Sequence, residues 1–510
     1  MKVALAQINT TVGDLAGNVE LCLQAIQAAK EQNVDLVVLP EMAVTGYPPR
    51  DILFDSSFIE AVQAANADLA KRAEGGPPAI VGSVIPADRK QAYHPSLFNA
   101  ALLLHSGEAS LAAAKQLLPS YDVFYEDRWF LSGPSSSPID INGKKVGVLV
   151  CEDLWDEGYP VHPGTQLLKE GAELLVCINA SPYHQGALAN RQHHAKRQGA
   201  PIIYLNLVGA TDELIFDGRS FALNADGDII AQAPAFKEDL LIVEFDDREA
   251  QELQEMNLAE ELYQAIVLGI RDFAGKNGLK KAFLGLSGGI DSAVGAVVAT
   301  EAMGPKNLTA VHIPSRFTDP RSIQYSKILA KNLGIGYQEV ALDAIHSASE
   351  TALKKLLDGG TTAENIQARL RAMILMAFVN HHSGILLNTS NKTELALGYA
   401  TLYGDMAGSL SPLGDLTKPQ VYAIAEWINR GEEIIPAFIM DRAPSAELKD
   451  DQVDPFNYDE VGPKMEALVQ ANQSDAAMRR AEHKRWQMGV ILKLSEKAFG
   501  TGRMIPITRR

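Results

Sequence analysis

Cysteine is nearly missing from this chain, and the little there is cannot build a cross-linked or zinc-held scaffold. Cys22, Cys151 and Cys177 are the whole set, and they form no C-x-x-C pair or metal-ligand spacing, which excludes a disulfide framework or a structural zinc site as the basis of the fold. Cys22 and Cys177 have apolar neighbours and read as inert core thiols, whereas Cys151 does not. Long hydrophobic runs are lacking too. No stretch approaches the ~20 apolar residues of a membrane span, and MKVALAQI at the start reads as a first strand rather than an export signal. A cytoplasmic protein with no membrane partner is expected. Positive charge is in deficit, 46 Lys and Arg against 63 Asp and Glu, for a net charge of −17. That balance argues against a general nucleic-acid surface, because phosphate backbones are held mainly by excess lysine and arginine. A chain of 510 residues, 46% hydrophobic, exceeds one ordinary core, so two domains of roughly 250 residues are expected.

What is present is most concentrated in AFLGLSGGIDSA, Ala282 to Ala293, which joins a buried strand to a glycine turn and a helix start. Ser287, Gly288, Gly289 and Ser292 leave room for a polyanion to reach the backbone, and a helix expected over Ala293 to Met303 aims its N–H groups and positive dipole end at it. No lysine follows, so the loop is not the G-x-x-x-x-G-K-[ST] type that grips a terminal phosphate. The pattern S-G-G-x-D-S resembles the pyrophosphate loop of ATP pyrophosphatases. That resemblance implies cleavage of ATP between its α and β phosphates and an adenylated substrate awaiting a nucleophile.

The rest of the chain has an α/β rhythm. Leu36 to Leu39, Ala100 to Leu104, Val146 to Val150, Leu174 to Ile178, Ile202 to Leu205 and Leu240 to Phe245 read as buried strands of a first domain, residues 1–245. An acidic connecting segment, 246–261, leads into an amphipathic helix over Leu262 to Phe273 and a second domain, 262–510. There Ala282 to Leu286, Leu308 to Ile313 and Ile385 to Asn388 suit an open parallel sheet with ligands at the carboxyl ends of its strands. Asp441 to Asn457, rich in charge and proline, has no period and reads equally as a mobile lid or a plain surface loop.

Cys151 directly follows an apolar strand and precedes Glu152 and Asp153, so a sharp turn can present its sulfur. Glu41 ends another strand in LVVLPEMAVTGYP, and Lys115 in AAAKQLLPSYDVFYEDRWF offers a cation. A carboxylate to take the thiol proton, a cation to steady an oxyanion and a sulfur to attack form a complete acyl-transfer set. The three contexts in this order resemble the Glu-Lys-Cys triad of the nitrilase superfamily. The resemblance implies an α-β-β-α sandwich and an amide or nitrile substrate. It makes Glu41 the general base, Lys115 the electrostatic stabiliser and Cys151 the nucleophile, with Glu126 orienting the lysine.

The second half carries NTSNKTELALGYATLYGD, Asn388 to Asp405, just after a strand. Asp291 and Glu394 are the natural carboxylates for a magnesium ion bridging ATP phosphates. This half resembles NAD synthetases, with a Rossmann-like open parallel sheet of the PP-loop type. The resemblance makes Ser287, Gly288, Gly289, Ile290, Asp291, Ser292 and Ala293 the pyrophosphate loop, and Thr389, Lys418 and Ser445 contacts for ATP. It assigns deamido-NAD to Arg369, Tyr399, Asp405, His483 and Lys484. Leu402 stands where some members place a substrate-contacting lysine. The ending KAFGTGRMIPIT also resembles bacterial members.

An amidase fused to an adenylating ligase is chemically coherent, since the ammonia one releases is the nucleophile the other needs. Ammonium is mostly protonated near neutral pH, so an enclosed passage would keep it reactive. The whole chain therefore resembles the glutamine-dependent NAD synthetases, which implies L-glutamine, deamido-NAD and ATP as substrates, Mg²⁺ as cofactor and a homo-oligomeric assembly. Tyr121, Glu152 and Ser181 match positions that hold glutamine. Two alternatives share the parts: an amidotransferase acting on another adenylated acceptor, and a PP-loop enzyme modifying tRNA, which the acidic composition opposes.

Overall fold

The computed structural model describes residues 1–91, 94–245, 250, 256–357, 360–449, 452–500 and 502–503. The chain forms two compact units, the first beginning at Met1 and the second taken up from Met256. Most of the expected connecting segment 246–261, and part of KAFGTGRMIPIT, lie outside the described residues.

The first unit contains two six-stranded sheets. One runs in spatial order Asp239–Glu244, Lys2–Gln7, Leu36–Val38, Ala79–Pro86, Leu97–His105 and Glu108–Ala114; the other runs Ile229–Gln232, Phe221–Leu223, Ile202–Asn206, Leu174–Asn179, Lys144–Val150 and Ile139–Ile141. Val3, Leu5, Val38 and Ile80 of the first sheet share a core with Val146, Val148, Val150, Val176, Ile178 and Ile203 of the second. The alternate residues Ala4, Ala6, Val37 and Leu39 turn the other way, onto Val19, Cys22 and Ile26 of the helix Leu15–Glu31 and Leu69 of the helix Ser56–Arg72. The second sheet repeats this, placing Leu149, Leu175, Cys177 and Tyr204 against Leu167 and Ala195 of the helices Pro163–Lys169 and Ala187–Lys196. Strands buried on both faces explain the near-continuous apolar runs. The layers are α-β-β-α, the sandwich expected. Cys22 and Cys177 lie in the outer cores, and burial pushes the Cys22 thiol up to about 12.

In the second unit four parallel strands lie in the order Gly336–Glu339, Leu308–His312, Ala282–Gly285 and Ile385–Leu386. Phe283, Val311 and Leu386 pack against Leu370, Ile374 and Phe378 of the helix Thr361–His382. The loops after Ala282–Gly285 and Ile385–Leu386 leave the same edge, because those strands are parallel neighbours. Two boundaries differ from expectation. The helix after the glycine turn spans Ile290–Met303 rather than starting at Ala293, because the Ser292 hydroxyl donates to the Gly289 carbonyl at 2.9 Å and accepts the Ser287 N–H at 3.2 Å, winding the first turn onto the loop. The preceding helix spans Leu258–Lys276, capped by Asn257, whose side chain accepts the Ala259 N–H at 2.8 Å. Among the described residues no helix is long and apolar enough to cross a membrane.

Candidate active sites

In the first unit, Glu41, Lys115 and Cys151 all sit just past the carboxyl ends of strands, Leu36–Val38, Glu108–Ala114 and Lys144–Val150. Lys115 and Glu41 are 0% exposed and Glu126 is 3% exposed. The Lys115 ammonium donates to Glu41 Oε1 at 3.0 Å and to Glu126 Oε1 at 2.9 Å. Glu41 is held from two further directions: the Asn99 amide donates to Oε1 at 2.6 Å and the Ala180 N–H to Oε2 at 2.7 Å. Tyr47 donates to Glu126 at 3.2 Å. Burial works against the charge on Lys115, but Glu126 and Glu41 outweigh it and hold the ammonium well above the ordinary lysine range. Burial also pushes the Glu126 carboxyl up against the pull of Lys115. The Lys115 ammonium is thus held between two carboxylates inside a buried site.

Cys151 opens the short turn Cys151–Leu154 at φ +48°, left-handed backbone that is costly for a residue with a Cβ. Burial pushes its thiol well up, Glu41 adds to the rise and Lys115 opposes it. The raised pKa favours the neutral thiol at this position. Tyr121 donates to Glu152 Oε2 at 3.0 Å and Tyr159 donates to Oε1 at 3.0 Å, so the buried Glu152, raised by burial, meets the half-exposed Tyr121. Ser181 belongs to a separate network. Its hydroxyl accepts from Arg191 at 3.2 Å, and Arg191, wholly buried, is paired with Asp217 at 2.7 Å. Asn99, Tyr47, Tyr159 and the Ala180 N–H were not foreseen, although a lone polar residue inside LFNAALLL was a signal for Asn99.

In the second unit, Gly288 holds φ +85°, and a Cβ there would lie 2.9 Å from the Ser322 side chain. Only glycine fits this turn without a shift. Asp291 and Glu394 converge on Lys418, whose ammonium lies between them, 3.3 Å from Glu394 Oε1. Asn391 caps the helix Lys392–Leu397 and also donates to Asp291 at 3.0 Å. Burial lowers and the two carboxylates raise the Lys418 pKa, with a net rise, while burial pushes Glu394 up. Lys418, expected as an ATP contact, thus occupies the position between the expected magnesium ligands. Among the described residues no group of three or more His, Cys, Asp or Glu side chains is placed to hold a metal ion. Thr389 lies against Gly295 of the helix Ile290–Met303. Ser445 lines a cavity of about 420 Å³ with Asp319, Arg321, Phe438, Arg442 and Gln452.

Four of the five expected dinucleotide residues, Arg369, Tyr399, Asp405 and Lys484, lie on or bond the loop 398–408. Arg369 donates to the Leu402 carbonyl at 3.1 Å, Lys484 to the carbonyls of Gly398 at 2.8 Å and Ala400 at 2.6 Å, and the Asp405 carboxylate accepts the Thr401 N–H at 2.7 Å. Tyr399 donates to Asp454 at 3.2 Å, and His483 is exposed. Leu402 packs in the apolar cluster around Met406 and Met478. The expected lid, 441–457, has residues 450 and 451 outside the described set. Its first part is tied down, since Arg442 bonds Ser322 and donates to Glu447 at 2.9 Å, and Ser322 donates to Glu447 at 2.8 Å.

Two such sites on one chain define a family, and comparison with known proteins decides which. The carbon-nitrogen hydrolase family matches residues 2–255 and the NAD synthase family residues 262–498. The chain is 39% identical to the glutamine-dependent NAD(+) synthetase of Synechocystis sp., over 99% of this chain and 98% of the relative. This chain belongs to the glutamine-dependent NAD(+) synthetase family. A second such synthetase, from Rhodobacter capsulatus, is 38% identical over 100% of this chain and 98% of its own. The structure of the Acinetobacter baumannii glutamine-dependent NAD+ synthetase in complex with adenosine diphosphate aligns with a TM-score of 0.81 at 31% identity, covering 99% of this chain and 98% of that one.

Proposed function

We propose that this chain amidates deamido-NAD to NAD with nitrogen from L-glutamine, consuming ATP and releasing AMP, pyrophosphate and L-glutamate. The observation that carries it is the pairing, in one chain, of the buried Glu41–Lys115–Glu126 array beside Cys151 with the Asp291–Lys418–Glu394 array beside the Ser287–Gly288–Gly289 turn. At the first site Glu41 takes the Cys151 proton as sulfur attacks the glutamine side-chain carbonyl, and Lys115 steadies the oxyanion. The carbon–nitrogen bond then breaks, the proton passes from Glu41 to the departing ammonia, and water delivered by the same base hydrolyses the glutamyl thioester. Tyr121, Glu152 and Ser181 are assigned to the glutamine, Tyr121 and Glu152 as a bonded pair and Ser181 from its own network on Arg191. At the second site a nicotinate oxygen attacks the α phosphorus of ATP, pyrophosphate leaves, and ammonia displaces AMP.

Two carboxylates that converge on one cation, here the Lys418 ammonium, are hard oxygen donors of the kind Mg²⁺ takes. Asp291 and Glu394 would hold the ion, which neutralises phosphate charge when bound; Lys418 is then free to donate to an ATP oxygen. Thr389 and Ser445 complete the nucleotide contacts, and Arg369, Tyr399, Asp405, His483 and Lys484 those of the dinucleotide. We assign residues 1–245 to glutamine hydrolysis and 262–510 to synthesis, in a cytoplasmic homo-oligomer. Supporting self-association, Met373, Met376 and Tyr403 of the second unit are 50%, 39% and 66% exposed. The test is mass spectrometry of NAD formed from deamido-NAD, ATP, magnesium and glutamine labelled with ¹⁵N in its side-chain amide. The label enters the carboxamide of the product; unlabelled NAD, or none, overturns the reading.

A further inference from the structure

Asp153 lies two residues past the nucleophile, is 2% exposed and spends both carboxylate oxygens on backbone N–H groups. Its Oδ1 accepts from Gln116 at 2.9 Å and from Leu117 at 3.0 Å, and its Oδ2 accepts from Val150 at 3.2 Å. Gln116 and Leu117 directly follow Lys115, and Val150 directly precedes Cys151. The strands that deliver these two residues, Glu108–Ala114 and Lys144–Val150, belong to different sheets. No ladder of backbone bonds registers one against the other, so the Asp153 carboxylate is a direct hydrogen-bonded tie between the end that carries the cation and the end that carries the sulfur.

We infer that Asp153 is a positioning residue that sets the Lys115 ammonium against the Cys151 thiol. The chemistry of the tie selects aspartate. Only a carboxylate accepts on both oxygens; an asparagine would keep the Gln116 and Leu117 bonds but turn an N–H₂ toward the Val150 N–H, donor against donor. The bond to Val150 also holds the peptide entering Cys151, whose left-handed backbone at φ +48° persists only where its surroundings over-determine it. Lys115 is fixed from the other side in the same way: its N–H donates to the Asn99 carbonyl at 2.8 Å and its carbonyl accepts the Gly133 N–H at 2.8 Å. Releasing Asp153 therefore frees the turn on which the thiol stands more than it frees the lysine. The catalytic part of this inference rests on the glutamine reaction proposed above, whereas the geometric part does not.

The experiment compares Asp153→Asn and Asp153→Ser with the native sequence in the full chain. Cys151 is alkylated with iodoacetamide and followed by peptide mass spectrometry, so that the end point counts intact sites and the rate constant reports how the thiol is held. Glutamate release is then expressed per intact site, which keeps a partly folded preparation informative. The expected result is a fall in alkylation rate constant and in kcat per site of about ten- to a hundredfold, the scale of a misplacement near 1 Å. The KM for glutamine stays within about threefold, because uniform binding is not what is lost. Native rate constants per intact site, with the damage confined to a lower Tm and fewer sites, overturn the inference. Alkylation needs no glutamine, so it judges the tie even if the proposed reaction fails its own isotope test.

Discussion

Lys115 donates to Glu41 at 3.0 Å with both side chains wholly out of solvent, while a second carboxylate, Glu126, bonds the same ammonium. Three charged groups in a dry site survive because each answers another, and this interdependence sets the first prediction. Removing the cation leaves two buried carboxylates facing each other, and breaking a buried pair in this way costs about 3–5 kcal/mol. Lys115→Met should lower the Tm and abolish glutamine hydrolysis. Adding Glu126→Gln should restore much of the Tm without any activity, because the repulsion is relieved and the cation is still missing. Thermal unfolding and glutamate release check both halves; a double variant no more stable than the single one would refute the coupling.

The Cys151 thiol, pushed well up by burial and by Glu41 against the opposing Lys115, remains protonated through the neutral range. A raised thiol pKa means the thiolate appears only on the alkaline side. Alkylation of Cys151 in the free protein should therefore climb with pH beyond about pH 9, with no plateau near neutrality. The measurement is the rate of iodoacetamide modification at that peptide across pH. A plateau below neutral pH would show a resting thiolate and remove the need for Glu41 as its base.

Separate sites predict separate losses. Cys151→Ala should end synthesis from glutamine while synthesis from ammonium salts continues. Asp291→Asn should halt AMP and pyrophosphate formation under either nitrogen source, because Asp291 lies with Lys418 and Asn391 beside the glycine turn. Product chromatography with each nitrogen source decides the matter, and a Cys151 variant inactive on both would break the division.

The sandwich was legible because its strands are buried on both faces and so read as continuous apolar runs, Leu174–Asn179 being the plainest. Strand ends were less so. Ala100 to Leu104 reads as a strand by its apolar character, yet the strand spans Leu97–His105, since pairing with Ala79–Pro86 carries it through Asn99. The positions of Glu41, Lys115 and Cys151 past strand ends were legible through the apolar runs that precede them. Their partners were not: Asn99, Tyr47 and Asp153 reach Glu41, Glu126 and the Lys115 turn across 58, 79 and 36 or 37 positions of sequence. Nor could spacing reveal that Lys418 would lie between Asp291 and Glu394, 127 and 24 positions away.

Gly288→Ala tests the phosphate loop without touching a charge. The glycine is at φ +85°, and the new Cβ would press within 2.9 Å of Ser322, which itself bonds Glu447 and Arg442. Left-handed backbone costs a residue with a Cβ roughly 1–2 kcal/mol, before the clash is counted. The turn must move, so ATP-dependent synthesis should fall at least about tenfold with glutamine or ammonium alike, by the same free-energy scale. Glutamate release at the first site, measured without ATP, should keep its rate. Native synthesis rates in this variant would mean the turn does not cradle the nucleotide.

The last prediction concerns the ammonium of Lys418, the only cation described between Asp291 and Glu394. In Lys418→Met the two carboxylates face each other unscreened. Burial already raises the Glu394 carboxyl, Lys418 opposes that rise, and Asp291 adds to it. Losing the opposing charge lifts it further. A carboxyl whose folded pKa exceeds its unfolded value costs stability that is absent in acid, grows as pH rises from the unfolded to the folded value and levels off there, so the further rise in the variant adds a deficit that develops only above the native folded value. The Tm deficit of Lys418→Met relative to the native protein should thus be larger at about pH 8 than at about pH 5.5, and millimolar Mg²⁺ should shrink it at the higher pH by replacing the lost charge. Differential scanning calorimetry at the two pH values, with and without the metal, provides the readout. A deficit that does not change with pH would show that Lys418 supports the fold through packing alone, and that the carboxylates do not share a cation site.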